Sequence, residues 1–373
     1  MIKKSLLKLA SLTAVSSLWL AACAQAPTAP SSSNDTAPAS SATGGQTAAS
    51  SGNFKACMVS DFGGFDDKSF NETSYKGLLQ AKEQLGIETA QIESKQESEY
   101  ARNVQSMIDA RCGVIVTVGF ALANATEAAA KQNPDTKFAI VDNNSFDGVS
   151  NAKGLIFNTA EPAFMAGDVA ASLTQTGKVG TFGGANYPTD SIFMDGFAQG
   201  VEYYNQAKGK SVQVLGWDRS SKDGQFIGGN DPFGDQTGGK NTANTLIAQG
   251  ADIILPVAGP AGLGALAAVK ESNGKVNAIW VDTDGYVSAP EYKDVIITSI
   301  EKGMDVAVLE IIKAAKDGTF SADPYVGDLK NKGVDLAEFH DFDSKVSSET
   351  KSELDQIRAD IVSGKIVVDT PVK

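Results

Sequence analysis

The stretch "SDFGGFDDKSFNETSYKG", Ser60 to Gly77, joins a short apolar run to a helical pattern and carries four acidic residues and three phenylalanines. An apolar strand, a polar loop and an amphipathic helix in succession make up the repeating unit of α/β folds. The same rhythm continues outward. Strand-length apolar runs fall at 55–60, 88–93, 113–118, 137–141, 154–157, 178–182, 212–216, 252–257, 277–281 and 295–299. Helical patterns lie between and after them, at 70–85, 99–110, 122–132, 161–174, 190–206, 239–249, 261–272, 303–316 and 349–363. This alternation predicts an α/β protein with mostly parallel sheets flanked by helices, and its repetition in both halves predicts two similar lobes. Ligands of open α/β sheets bind beyond the carboxyl ends of the strands. The residues there are Asp61, Gly119-Phe120, Asp142-Asn143, Gly183-Gly184-Ala185, Gly259, Asp282-Thr283-Asp284 and Glu301-Lys302.

The acidic loop can be tested against particular chemistries. Counted from Asp61, an EF-hand needs oxygen ligands at positions 3 and 5, where Gly63 and Phe65 stand, so that reading fails although Glu72 fits position 12. A calcium-dependent nucleoside hydrolase would need a second carboxylate where Gly63 lies; without it the metal loses a ligand and the water its activator. "GDQTGGKN", Gly234 to Asn241, imitates a P-loop, but Asn241 replaces its Ser or Thr and no strand precedes it. There is no G-x-S-x-G elbow. The single histidine, His340, is expected at the surface. Neither an enzyme nor a metal or cofactor site is expected.

Binding remains. "SFNE" reads as a capping box, with Ser69 capping the helix and Glu72 returning to the Ser69 N–H. Phe70 and Asn71 then occupy the first helical turn near the crevice, a ring and an amide suited to a planar ligand with polar edges. Taken alone, Phe70 fits a core position at a helix start equally well. Asp66 and Asp67 are expected to shape the loop.

The ends of the chain define its setting. "MIKK", an apolar run and "LAAC" ending at Cys23 form a secretory signal pattern, and Leu-Ala-Ala-Cys resembles the lipobox of bacterial lipoproteins. Residues 1–22 are thus expected to be a signal peptide, with Cys23 as the lipidation site. Residues 23–53, rich in Ala, Ser, Thr, Pro and Gly, are expected to be a disordered tether. The product would be extracytoplasmic, in the cell envelope, anchored by lipid to a bacterial membrane. The net charge is −13, and removal of residues 1–22 takes away three lysines and no acid. So acidic a body excludes a nucleic-acid partner, which would need clustered Lys and Arg. Cys57 and Cys112 each begin an apolar run and are either a disulfide or two buried thiols.

The segments "SDFGGFDDKSFNETSYKGL", "PAFMAGDVAA", "VGTFGGANYPTDSIFMDGFAQG", "ADIILPVAGPAGLGA", "AIWVDTDGY" and "TSIEKGMDVAV" resemble, in order, the basic membrane protein family of bacterial lipoproteins, which includes the purine nucleoside receptor A group. The resemblance implies a two-lobed, type I periplasmic-binding-protein-like fold that closes on a purine nucleoside such as inosine, adenosine or guanosine. It implies delivery to an ABC transporter permease, by a monomer. Carried onto this chain, Phe70 and Phe193 would stack on the base and Asp61 and Asn71 would bond its edge. Asp142, Gly259, Asp282 and Lys302 would line the site, the last two near the ribose hydroxyls. A sugar or other polar solute is the alternative ligand of the same fold. Lobe 1 is expected over 54–157 plus 285–322 and lobe 2 over 158–284 plus 323–373, with crossings near 157–160, 282–286 and in the 320s. The insertion Asp218–Lys240 is longer than in the shorter family members and Pro260 departs from their small residues; neither carries an assigned role.

Overall fold

The computed structural model describes residues 54–372; the expected signal peptide, Cys23 and the tether lie outside the described residues. In chain order the strands are β1 (Lys55–Ser60), β2 (Glu88–Glu93), β3 (Val114–Val118), β4 (Lys137–Val141), β5 (Ala152–Phe157), β6 (Lys178–Gly183), β7 (Gln213–Leu215), β8 (Trp217–Asp218), β9 (Asp223–Gly224), β10 (Ile253–Val257), β11 (Asn277–Asp282), β12 (Ile296–Lys302), β13 (Tyr325–Gly327) and β14 (Val334–Leu336). The helices are α1 (Phe70–Leu85), α2 (Tyr100–Asp109), α3 (Ala123–Gln132), α4 (Ala160–Leu173), α5 (Pro188–Lys208), α6 (Gln236–Ala248), α7 (Gly262–Glu271), α8 (Gly285–Ser288), α9 (Met304–Lys316) and α10 (Ser348–Val362).

Two six-stranded sheets form the lobes, ordered β13-β5-β4-β3-β1-β2 and β14-β12-β11-β10-β6-β7. Every pairing in the first is parallel, and in the second only β12–β14 is antiparallel. Helices cover both faces of such sheets, so their inner strands are apolar throughout. All five residues of β3 and of β10 are accordingly buried, whereas the edge strand β2 has no fully buried residue and both its ends are Glu. In the second lobe α4 lies directly on α5: a Cβ on Gly200 would stand 1.9 Å from the Phe164 carbonyl oxygen, so only glycine permits that approach.

Strand pairing divides the chain differently from the expected boundaries. Ile296–Lys302, expected in lobe 1, pairs with β11 and β14 in the second sheet, and Tyr325–Gly327, expected in lobe 2, pairs with β5 in the first. The chain therefore passes between lobes at Asn158–Thr159, at Gly303 and between β13 and β14, and does not pass at 282–286. The physical reason is that α8 is a single turn that returns to its own sheet, where the Gly285 N–H bonds the Ser299 hydroxyl at 2.9 Å. Cys57 and Cys112 are joined as a disulfide, with Cα atoms 5.9 Å apart, tying β1 to the segment that leads into β3.

Candidate ligand-binding site

The carboxyl ends of both sheets face a small cavity, about 70 Å³ in volume, where the two lobes meet. All eight residues expected at the site line it: Asp61, Phe70, Asn71, Asp142, Phe193, Gly259, Asp282 and Lys302. The first lobe supplies the first four, from the ends of β1 and β4 and the start of α1; the second supplies the others.

The start of α1 is built otherwise than the capping box predicts. Asp67, and not Ser69, caps the helix: its carboxylate accepts from the N–H groups of Ser69 at 3.0 Å, Asn71 at 2.9 Å and Glu72 at 3.0 Å. Glu72 accepts from the Lys68 N–H at 3.0 Å. The Ser69 hydroxyl is thereby released to donate to Asp282 Oδ2 of the other lobe at 2.8 Å. Anions are favoured at a helix N-terminus, and a carboxylate with two oxygens serves more orphan N–H groups than one hydroxyl can.

Asn71 Nδ2 donates to Asp61 Oδ1 at 3.0 Å, while Asn71 Oδ1 is buried with no protein partner. Burial pushes the Asp61 carboxyl up to about 8, helped by Asp67 and Asp142 and opposed by the Asn71 bond. Near neutral pH it is mostly protonated and can donate. Its pocket requires Gly119, because a Cβ there would stand 2.1 Å from Asp61 Oδ2 and the backbone φ is +104°. Burial also raises Asp67, to about 6, against its three N–H donors.

On the opposite wall Lys302 is buried, with Nζ 2.6 Å from Asp142 Oδ2 across the lobes and 3.5 Å from Asp282 Oδ1. Burial alone would lower its pKa; Asp142, Asp282 and Asp190 outweigh that and raise it. Both Asp142 and Asp282 hold left-handed backbone, φ +62° and +72°, conformations that concentrate at functional sites. The rings of Phe70 and Phe193 flank Lys302 Nζ, their centroids 5.0 and 5.1 Å from it, so one ring from each lobe faces a common space.

Of the further residues that line the cavity, Phe120 belongs to the strand-end positions already marked, whereas Phe62, Asp190 and Phe233 were not singled out. Asp190, three residues before Phe193 on α5, is buried there, and burial pushes its carboxyl well above the ordinary value, Lys302 opposing. Its one-turn spacing from Phe193 was the available signal. Phe62 comes after Asp61 at the end of β1, as Phe120 comes after Gly119 at the end of β3, so strand-end logic points to both places. Phe233 comes from the insertion Asp218–Lys240, where no periodicity points to it. The P-loop imitation lies at the start of α6, which Asp235 caps, and Lys240 pairs with Glu271 at 2.6 Å. His340, expected at the surface, is partly buried, bonded to Asp284 at 2.8 Å and stacked on Tyr286. Among the described residues no group of three or more His, Cys, Asp or Glu is arranged to hold a metal ion.

Two lobes of mostly parallel sheet joined by three crossings, with a polar and aromatic cavity between their strand ends, define a solute-binding protein. The chain belongs to the Bmp family, ABC transporter substrate-binding protein PnrA-like, whose model matches residues 54–370. It is 32% identical to basic membrane protein A of Borreliella burgdorferi over 320 residues, 84% of this chain and 87% of that one. It is 30% identical to the ABC transporter nucleoside-binding protein BmpA of Lactococcus lactis over 331 residues, 84% and 88% of the two chains. An ABC transporter system solute-binding protein from Aeropyrum pernix K1 has the same fold, with a TM-score of 0.76 at 26% identity, over 85% of this chain and 94% of that one. The chain is thus an ABC transporter substrate-binding protein and not an enzyme, which sets the hydrolase aside.

Proposed function

We propose that this chain binds purine nucleosides between its lobes and presents them to an ABC permease, acting as a monomer outside the cytoplasm and held to the membrane through lipid on Cys23. The observation that carries the reading is the pair Phe70 and Phe193, one ring from each lobe, facing the same space beside Lys302. A purine between two rings gains stacking worth about 1–3 kcal/mol per base. Asn71 Oδ1, a buried acceptor without a partner, and the protonated Asp61 offer an acceptor and a donor to the edge of the base. Asp282 can accept from vicinal ribose hydroxyls and Lys302 can donate to a ribose oxygen. The name of the Lactococcus lactis relative, a nucleoside-binding protein, agrees with this ligand class. Contacts from both lobes would favour the closed state that a permease recognises.

A thermal-shift screen of purine nucleosides, pyrimidine nucleosides, free bases and sugars tests the proposal. Purine nucleosides are expected to give the largest stabilisation. A shift with sugars and none with any nucleoside would contradict it.

A further inference from the structure

Phe233 reaches the cavity mouth on a loop bolted to the second lobe. The Ala261 N–H donates to the Phe233 carbonyl at 2.7 Å, Ile227 N–H to Gly183 O at 3.0 Å and Gly228 N–H to Gly184 O at 2.9 Å. The Phe233 ring lies against Gly184, where a Cβ would come within 2.5 Å of it. From that seat it stacks on Phe62 of the first lobe, centroids 6.0 Å apart and planes 23° from parallel. A second ring pair spans the lobes as well: Phe120, after β3, meets Tyr187, after β6, at 4.4 Å and 50°.

The four rings are arranged by the sheets. Phe62 and Phe120 leave β1 and β3, neighbours in the first sheet, while the anchors of Phe233 and Tyr187 follow β6 and β10, neighbours in the second. The two pairs therefore sit side by side where the lobes meet. Phe62, Phe120 and Phe233 also line the cavity, whereas Tyr187 is 42% exposed. Each pair has one ring in each lobe, so both contacts exist only while the lobes are together and are lost when they part. An interaction made in one state only shifts the balance towards that state.

We propose that Phe62–Phe233 and Phe120–Tyr187 form an aromatic clasp that biases the two lobes towards closure and slows release of the ligand. The insertion Asp218–Lys240 thereby has a role: it brings one jaw of the clasp to the mouth. The inference rests on the nucleoside reading only for the choice of ligand.

Stopped-flow tryptophan fluorescence of the full chain with inosine tests it. Trp280 Nε1 donates to the Lys68 carbonyl across the lobes at 3.4 Å, placing an intrinsic reporter at the junction. Phe233→Ala is expected to raise the dissociation rate roughly two- to tenfold, the range a lost aromatic pair implies, with a smaller change in association. Phe62→Ala, which alters a half-buried ring, should do the same in a chain that folds normally, and the double variant should be little worse than either single one. Unchanged dissociation in both single variants, or full additivity in the double, would overturn the clasp. If the wild-type chain binds no nucleoside, the ligand reading falls, and small-angle scattering then decides the clasp. A larger radius of gyration for Phe62→Ala/Phe120→Ala than for wild type supports it, and an identical radius overturns it.

Discussion

The loop Ser60–Gly77 and the insertion Asp218–Lys240 meet over the cavity, and they are held by different physics. The first is organised by buried carboxylates: Asp67 collects three N–H groups, Asp61 holds Asn71, and Ser69 reaches across to Asp282. The second is held by backbone hydrogen bonds to the ends of β6 and β10 and presents a ring. The first thus depends on buried carboxylates and their protonation, while the second meets it through apolar contact, its own ion pairs, Arg219 and Lys222 with Asp195 and Lys240 with Glu271, being made within the second lobe. Titration of the cavity carboxylates should therefore strike the first wall and leave the second in place.

The largest effect is expected from Lys302→Met. This cation pairs with Asp142 and Asp282 in a buried site that also holds Asp190, and removing one partner of a buried pair costs about 3–5 kcal/mol. Chemical denaturation should show a loss of that order together with loss of ligand binding. A loss well below 1 kcal/mol would mean that the carboxylates do not rely on it.

A smaller effect is expected from pH. The folded state raises Asp61 from 3.8 to about 8 and Asp67 from 3.8 to about 6, so it binds more protons than the unfolded chain across that window. Their contribution to stability is therefore greatest below about pH 4 and falls as pH rises, until it is lost above about pH 8. Relative to wild type, Asp61→Asn should flatten the decline between pH 5 and 8 by an amount of order 1–3 kcal/mol. Parallel stability–pH curves for the two proteins would remove Asp61 from the account of the wall.

The smallest effect separates two residues of the same loop. Asp67→Ala is expected to cost about 2 kcal/mol, as loss of a helix cap, and Ser69→Ala about 1 kcal/mol, as loss of one hydrogen bond. The reverse order would restore the capping box. Equilibrium unfolding of the two variants reads the difference.

The same contrast explains what the sequence could disclose. Strand and helix periodicity marked the elements, with α1 observed over the expected Phe70–Leu85, and strand ends marked the cavity residues because parallel sheets aim those ends at one place. The Asp67 cap was hidden because Ser-x-x-Glu satisfies a local rule, whereas the partner that claims the Ser69 hydroxyl, Asp282, lies 213 residues away. The crossing at Gly303 was hidden for a similar reason. Sheet membership of β12 follows from pairing with β11 and with the three-residue β14, too short to leave a pattern. Phe233 sits in a Gly-rich insertion, and only the tertiary fold carries it to Phe62.

Calorimetric titration of inosine and of ribose into wild type and Phe70→Ala tests the central claim most directly. Inosine is expected to bind wild type far more tightly than ribose does, and Phe70→Ala to lose roughly 5- to 100-fold in inosine affinity, the equivalent of one stacked face. Equal affinity for ribose and inosine, or full inosine affinity in Phe70→Ala, would contradict it.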